Sequence, residues 1–171
     1  MTDRNAVEDL LTLIRVADAS NDRIFVADPA LREIRHYWSA KWSPDAAWGA
    51  CALVHNYEAN LVLAIHGPKG LGVPGGKPDA GEAPFQTAVR ELEEETGFRL
   101  KTRAHLYSEP IITEKGVPVH FLVASSTQLE GEPRSSSEGF VCWVPPGVLM
   151  SEWARFPEWN RQAMVACGIV K

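Results

Sequence analysis

The chain has 171 residues, a length that fits one domain of ordinary size. Its 22 acidic and 17 basic residues give a formal net charge of −5, which argues against generic binding to nucleic-acid backbone, since such proteins carry an excess of basic residues. No apolar run is long enough to span a bilayer, and the N-terminus lacks the charged-then-apolar pattern of a signal peptide. We therefore expect a cytoplasmic protein with no membrane contact.

The first 47 residues combine a predicted helix with an aromatic segment. Apolar residues recur at helical spacing over residues 5–17, and a short strand is predicted at 23–27. Residues 28–47 are dense in aromatic side chains, Trp38 and Trp42 among them. These aromatics suit a satellite core, a homodimer surface or a wall of a substrate pocket, and the sequence leaves all three open.

Two predicted strands and a loop–helix unit follow. Apolar runs at 48–55 and 61–66 predict strands joined by a hairpin connection. A glycine-rich loop then leads into a helix that we expect to begin near Pro84, because proline suits a first helical turn. The helix should end near Gly97, since glycine tolerates the left-handed conformation of a C-cap.

This helix carries three acidic residues on one face. Glu91, Glu94 and Glu95 are spaced i, i+3 and i+4, so their carboxylates lie side by side. Like charges at this spacing repel by roughly 0.2–0.5 kcal/mol a pair. A hard divalent cation that takes oxygen ligands would offset the repulsion; the alternative is a solvated acidic face.

Downstream of the helix the pattern again favours strands. We predict strands at 101–109, 117–125 and 141–144, and a final helix at 157–167 with Gly168 just after it. The whole pattern predicts an α/β fold with a mixed central sheet flanked by helices.

The loop and the acidic helix together carry a longer pattern of fixed spacing. Five residues separate Gly76 from Glu82, seven more precede the next defined position, and the remaining positions are Arg90-Glu91-Leu92, Glu94-Glu95 and Gly97-Phe98. These positions at these spacings resemble the complete Nudix box. The resemblance implies the Nudix α/β/α sandwich over residues 47–171, with residues 1–46 as an N-terminal extension.

The Nudix resemblance also implies a metal site with Mg²⁺ as cofactor and Mn²⁺ as its substitute. Glu94 and Glu95 are the implied ligands, and Glu91 is a ligand or the base that activates water. Glu82 supports the metal cluster, and Gly76 offers a main-chain oxygen, since glycine has no side chain to block the approach. Arg90 is expected to orient the carboxylates through a charge-assisted pair. The implied catalytic set is Glu91, Glu94, Glu138 and Arg90.

Glu138 enters these sets as a ligand or base from a distant loop. Residues 130–139 resemble the corresponding loop of MutT-type members, and Glu138 is the matching acid. The match can also slip to Glu132. The structural alternative is a solvated loop glutamate.

Three residues are candidates for substrate binding. Residues 155–160 resemble the MutT-type stretch whose asparagine hydrogen-bonds a purine edge, and Asn160 matches that asparagine; the alternative is a solvent-facing residue at the start of a helix. Trp159 is expected either to stack on a base or to pack in the core. Lys77 is expected to face either a substrate phosphate or solvent.

The resemblance thus implies a Mg²⁺-dependent hydrolase of a small nucleotide. The best single substrate is a nucleoside triphosphate, such as the oxidised purine nucleotide 8-oxo-dGTP, cleaved to a monophosphate and pyrophosphate. ADP-ribose, a nucleotide sugar, a dinucleotide and an RNA 5′ end are alternatives, because the box says little about the leaving group. An alternative of another class is a non-catalytic nucleotide-binding regulatory module, which would be expected to have lost box carboxylates.

Overall fold

The structure, a computed structural model, describes residues 48–171 apart from Arg103 and Ser108. The predicted helix over 5–17, the predicted strand at 23–27 and the aromatic segment at 28–47 lie outside the described residues.

The described chain alternates short strands with three helices. The strands are β1 (Gly49–Asn56), β2 (Leu61–Gly67), β3 (Gly70–Gly72), β4 (Gly75–Gly76), β5 (Arg99–Leu100), β6 (His105–Leu106), β7 (Ile111–Ile112), β8 (Pro118–Ser125), β9 (Leu129–Glu130) and β10 (Phe140–Val144). The helices are α1 (Pro84–Thr96), α2 (Pro146–Leu149) and α3 (Pro157–Ala166), and a 3₁₀ turn covers Ser126–Gln128. None of these helices is long and apolar enough to cross a membrane.

The central sheet is mixed, as the sequence predicts. Its main strand order is β10-β2-β1-β8-β6, with β3, β4 and β7 attached to β2, β1 and β8. β1 runs parallel to β8, whereas β2 is antiparallel to both β1 and β10. A parallel pair needs a crossover connection, and here the chain between β1 and β8 contains α1.

Helices cover both faces of this sheet. Successive strand side chains point to opposite faces, so Ala50, Ala52 and Val54 of β1 pack with α1, while Cys51 and Leu53 belong to a second cluster. The second cluster includes Trp159, Ala163 and Met164 of α3. The predicted α/β/α sandwich is therefore confirmed, with one apolar core on each side of the sheet.

The predicted strand over 101–109 is wrong in extent. Among the described residues of that span, only His105–Leu106 form a strand, antiparallel to β8. The chain just before it pairs elsewhere, because β5 and β9 form a separate two-stranded sheet. The change of partner between Leu100 and His105 interrupts a run that the local residues alone would extend.

Candidate functional site

Helix α1 begins and ends at the residues that the sequence predicts. Pro84 is its first residue, and the side chain of Gln86 accepts a hydrogen bond from the N–H of Ala83 at 3.0 Å. Gly97 ends the helix in the left-handed conformation, with φ of 77°, and its N–H donates to the carbonyl of Glu93 at 2.8 Å. Buried Ala88 and Leu92 fix the rotation of the helix against the sheet and so aim its acidic face.

Arg90 is the centre of the charged network on this helix. Its Nε and Nη2 donate to the two oxygens of Glu82 at 2.8 and 3.0 Å, a bidentate pair. Its Nη1 donates to Glu91 and Glu94, both at 3.0 Å, and Nη2 also reaches the carbonyl of Lys77 at 2.9 Å. Hydrogen bonds to Glu82 and Glu94 and the charges of Glu91 and Glu82 raise the pKa of Arg90, against the opposing effect of burial. One guanidinium thus holds three carboxylates and the glycine-rich loop together.

Glu82 is fully occupied by this network. Besides Arg90, its Oε2 accepts hydrogen bonds from the hydroxyl of Thr87 and the N–H of Asp79, both at 2.9 Å. Burial opposes ionisation of Glu82, but these hydrogen bonds and the charge of Arg90 outweigh it and lower its pKa. The carboxylate therefore orients Arg90 and the loop, in keeping with its predicted supporting part.

Glu91 lies directly against the backbone of Gly76. A Cβ built on Gly76 would stand 2.7 Å from Cδ of Glu91, so only glycine leaves room for this carboxylate. The Glu91 side chain is 13% exposed. Burial, the largest cause, raises its pKa together with the charges of Glu94 and Glu82, and these outweigh the opposing charge and hydrogen bond of Arg90. The close approach puts a carboxylate and a main-chain segment side by side, as a shared metal ligand set requires.

Glu95 is the buried member of the acidic face. It is 8% exposed, and its Oε2 accepts a hydrogen bond from the N–H of Gly75 at 2.8 Å. Burial is the main cause that raises its pKa to about 7, and the charges of Glu91 and Glu138 raise it further. The Gly75 hydrogen bond and the charge of Arg155 act in the opposite direction. Glu95 is thus a carboxylate whose negative charge is poorly compensated by the protein.

The loop of residues 131–139, which we call the 130s loop, joins β9 to β10 and brings Glu138 toward this buried carboxylate. Glu138 is exposed, its N–H donates to the hydroxyl of Ser136 at 3.1 Å, and its charge contributes to the raised pKa of Glu95. The carbonyl of Glu132, the other candidate acid, lies beside Gly97 at the C-terminal end of α1. The charge effect on Glu95 supports Glu138 as the loop acid, and its role stays a prediction.

The predicted substrate-binding residues occupy three different environments. Lys77 is exposed at the edge of the carboxylate network. Asn160 is 3% exposed, and its amide nitrogen donates to the carbonyl of Leu149 at 2.8 Å. Trp159 is buried, and its indole N–H points to the carbonyl of Ile111 at 3.3 Å. The structure thus supports the core alternative for Trp159, and base recognition by Asn160 stays a prediction.

Arg155 is a member of this neighbourhood that the sequence did not single out. Its N–H donates to the carbonyl of Leu71 at 2.7 Å, and its guanidinium lies 5.5 Å from the centre of the Phe156 ring. Its positive charge acts on Glu95, which is 60 residues earlier in the chain. Sequence alone offers no signal for this proximity, because it depends on the pairing of residue 154 with Leu71.

The donor set of the site fits a hard divalent cation, since it consists of carboxylate and main-chain oxygens. Within the described residues, however, no three acidic, histidine or cysteine side chains are arranged to hold an ion as they stand. Arg90 occupies Glu91 and Glu94, and the N–H of Gly75 occupies one oxygen of Glu95. A cation would have to draw these oxygens toward itself, so the predicted ligand set stays a prediction.

Comparisons with known proteins agree with this arrangement. The chain is 38% identical over 92 residues to an 8-oxo-dGTP diphosphatase of Haemophilus influenzae, a match that covers 53% of this chain and 64% of that protein. It is 33% identical over 107 residues to a probable DHNTP pyrophosphohydrolase of Lactococcus lactis, covering 61% and 64%. It is 32% identical over 105 residues to a CMP-5′-(N-acetyl-N-hydroxy-3-aminopropyl)phosphonate hydrolase of Streptomyces rubellomurinus, covering 57% and 51%. The chain therefore spans between half and two thirds of the length of these curated relatives.

Solved structures show the same fold. A MutT structure from work on Aliivibrio salmonicida and Vibrio cholerae superposes with a TM-score of 0.54 at 25% identity, over 71% of this chain and 94% of the other. An Ap4A hydrolase of C. elegans superposes with a TM-score of 0.55 at 18% identity, over 70% and 98%. The family model of the NUDIX domain matches residues 45–166. Because that match covers well over half of the chain and contains the whole carboxylate network, the chain belongs to the Nudix family.

Proposed function

We propose that this protein hydrolyses a nucleoside triphosphate to a nucleoside monophosphate and pyrophosphate. The observation that carries the proposal is the carboxylate network itself, in which Glu91, Glu94 and Glu95 stand on one helix face beside strand β4. Arg90 orients Glu91 and Glu94, and the N–H of Gly75 in β4 orients Glu95. A non-catalytic nucleotide-binding module would have no need of this complete set.

The proposed reaction joins the oxygen of water to phosphorus, breaks one phosphoric anhydride bond and releases pyrophosphate. A bound divalent cation, which we propose to be Mg²⁺, would neutralise phosphate charge and favour the ionised form of the water. Glu94 and Glu95 would hold that cation together with the main-chain oxygen of Gly76. Glu91 or Glu138 would accept the proton of the water, and Arg90 would keep Glu91 and Glu94 in register through its 3.0 Å hydrogen bonds.

For the nucleobase of the substrate we propose an oxidised purine, with 8-oxo-dGTP as the first substrate to test. The support is the relative named as an 8-oxo-dGTP diphosphatase, together with the match of Asn160 to the MutT-type asparagine. The Asn160 amide now donates to the carbonyl of Leu149. To bind a base it would have to use its remaining hydrogen-bonding atoms or release that carbonyl.

A second candidate is a nucleoside monophosphate linked to a non-nucleotide group. The observation that favours it is the similarity to a hydrolase of a CMP-linked phosphonate. The same carboxylates would serve this reaction, because the broken bond is again an anhydride at a nucleotide phosphorus. ADP-ribose and nucleotide sugars fall in the same class.

We also propose that residues 47–171 form the catalytic domain and residues 1–46 an N-terminal addition. The start of the family match at residue 45 supports this boundary. A cytoplasmic location belongs to the same proposal, because nucleotide substrates of this kind are intracellular metabolites.

The test is product analysis with Mg²⁺ on a substrate panel. The panel covers normal and oxidised nucleoside triphosphates, ADP-ribose, a nucleotide sugar and a dinucleoside polyphosphate. Monophosphate and pyrophosphate in equal amounts from a purine triphosphate would support the proposal. Turnover of a linked diphosphate alone would move the assignment to the second candidate, and binding without turnover of any substrate would favour the regulatory module.

Glutamate-to-glutamine substitutions inside and outside the carboxylate network separate an effect on catalysis from an effect on folding. Glu94→Gln should lower kcat about 100-fold or more, because it removes one oxygen ligand and one partner of Arg90. Glu114→Gln is the matched control, since Glu114 is exposed in the turn between β7 and β8, and it should leave kcat within about twofold. Near-normal turnover by Glu94→Gln would remove Glu94 from the metal site.

A further inference from the structure

A cleft of about 790 Å³ lies on the other side of α1 from the sheet. This volume is within the range of roughly 300–1,000 Å³ typical of small-molecule sites. The helix provides one wall, and residues 134–136 of the 130s loop provide the other. The cleft shares one residue, Glu94, with the predicted metal set and otherwise lies beside that set.

The cleft is continuous with the proposed catalytic centre. Arg90 and Glu94 line it, and both belong to the carboxylate network. The Glu94 side chain is 59% exposed, so its carboxylate faces the solvent-filled space. A substrate whose reacting phosphorus lies at Glu94 can therefore extend its remaining phosphates into this cleft.

The loop that forms the far wall is fixed at two points. The N–H of Arg134 donates to the carbonyl of Thr96 at 2.7 Å, which attaches the loop to the end of α1. Ser136 and Gly139 exchange main-chain hydrogen bonds at 3.1 and 3.3 Å, which closes a tight turn around Glu138. One short loop thus presents Arg134, Ser135 and Ser136 to the cleft and Glu138 to the catalytic carboxylates.

Arg134 supplies positive charge that is available to a ligand. The other charged residues of the cleft are already paired, Arg90 with its three carboxylates and Glu93 with Arg99. Within residues 48–171 as the structure describes them, no carboxylate lies within ion-pair distance of the Arg134 guanidinium. Its side chain rests on Gly97, where a Cβ would stand 3.0 Å from Nε, so the arginine is held against the helix end.

We propose that this cleft binds the pyrophosphate portion of a triphosphate substrate, with Arg134 as its cationic anchor and the hydroxyls of Ser135 and Ser136 as further donors. A guanidinium matches phosphate oxygens in pairs, and hydroxyls donate to the oxygens that remain. The cleft then selects substrates that release pyrophosphate over linked diphosphates, whose leaving group is a monophosphate esterified to a sugar or to a second nucleoside. This inference rests on the proposed function, because it assigns the leaving group of that reaction.

Calorimetric binding of inorganic pyrophosphate, with Mg²⁺ present, tests the subsite without any turnover. Arg134→Gln keeps most of the side-chain length and removes the charge, and it should weaken the Kd for pyrophosphate about tenfold. Arg134→Lys keeps the charge but not the paired donors, so its Kd for pyrophosphate should lie between those of the parent and Arg134→Gln. Arg161→Ala is the matched control, because Arg161 is an exposed arginine of α3 whose partner is Glu158, and its Kd should equal that of the parent.

Kinetics on two substrate types complete the test. Arg134→Gln should lower kcat/KM about tenfold for a nucleoside triphosphate and less than twofold for ADP-ribose. An unchanged Kd for pyrophosphate in Arg134→Gln overturns the subsite, even if triphosphate hydrolysis is found. A weakened Kd in a protein that hydrolyses no triphosphate leaves the subsite standing and overturns the proposed function. An equal loss on both substrate types shows that Arg134 does not act on the leaving phosphates.

Discussion

The buried carboxylate of Glu95 should destabilise the metal-free protein when it is ionised, and this effect can be measured directly. The carboxylate is 8% exposed, and burial raises its pKa to about 7. Its compensation consists of one main-chain hydrogen bond from Gly75 and the charge of Arg155. Glu95→Gln keeps an oxygen for the Gly75 N–H and removes the charge, so we expect it to stabilise the metal-free protein at pH 8.

The size of the effect follows from the two pKa values of this carboxyl. With a pKa of about 7 in the folded chain and the ordinary value of 4.5 in the unfolded chain, ionisation in both states lowers the free energy of unfolding by about 3 kcal/mol. The folded chain holds the proton more tightly, so this stability is fully present below pH 4.5 and is lost as the pH rises to 7. The parent should therefore lose about 3 kcal/mol relative to Glu95→Gln between pH 4 and pH 8.

Urea unfolding in EDTA at several pH values measures this difference. The comparison between parent and variant is needed because burial also lowers the pKa of His120 to about 4, which destabilises both proteins equally as the pH falls from 6.5. Glu93→Gln serves as the control and should follow the parent within about 0.5 kcal/mol at every pH. Equal stability of the parent and Glu95→Gln at pH 8 would refute the reasoning. Added Mg²⁺ should then stabilise the parent and not Glu95→Gln, if Glu95 is a ligand.

Two further predictions concern glycines. Gly76→Ala should reduce kcat at least tenfold with little change in unfolding free energy, because the new Cβ displaces the carboxylate at the end of the Glu91 side chain. Gly147→Ala, with open space around it, should change neither quantity, and equal kcat values for the two variants would contradict the assignment. Gly97→Ala should destabilise the fold by more than the roughly 1–2 kcal/mol of a left-handed alanine, because its Cβ would stand 2.7 Å from a carbonyl oxygen. Gly116→Ala has a similar φ of 75° but no neighbour within 4 Å, so urea unfolding of the pair isolates the steric part.

The parts of the site that depend on neighbours in sequence are predictable from the sequence. Helix α1 runs from Pro84 to Thr96 as its end signals indicate, and the spacing of its glutamates places them on one face. The long strands β1, β2 and β8 also follow from their apolar runs, because most of their residues are buried on both faces. These features depend on local propensity and on the repeat of the helix or strand, which the residues themselves carry.

Burial and long-range proximity are not predictable in this way. Glu91, Glu94 and Glu95 share a face, yet their exposure differs widely because the sheet covers only one edge of that face. The depth of Asn160 depends on how α3 packs against the second core, and the place of Arg155 depends on a main-chain pairing with Leu71. None of these contacts leaves a signal in the spacing of neighbouring residues.

The distribution of charge indicates where the proposed cation would bind. Arg90 pairs with the carboxylates of Glu82, Glu91 and Glu94, so one positive charge partly offsets three negative ones. Glu95 has no such partner, and the charges of Glu91 and Glu138 act on it as well. The least compensated negative charge is thus that of Glu95, between α1, strand β4 and the 130s loop. A carboxylate that weakens the metal-free fold at this point is what a functional cation site predicts, and a solvated acidic face would not produce it.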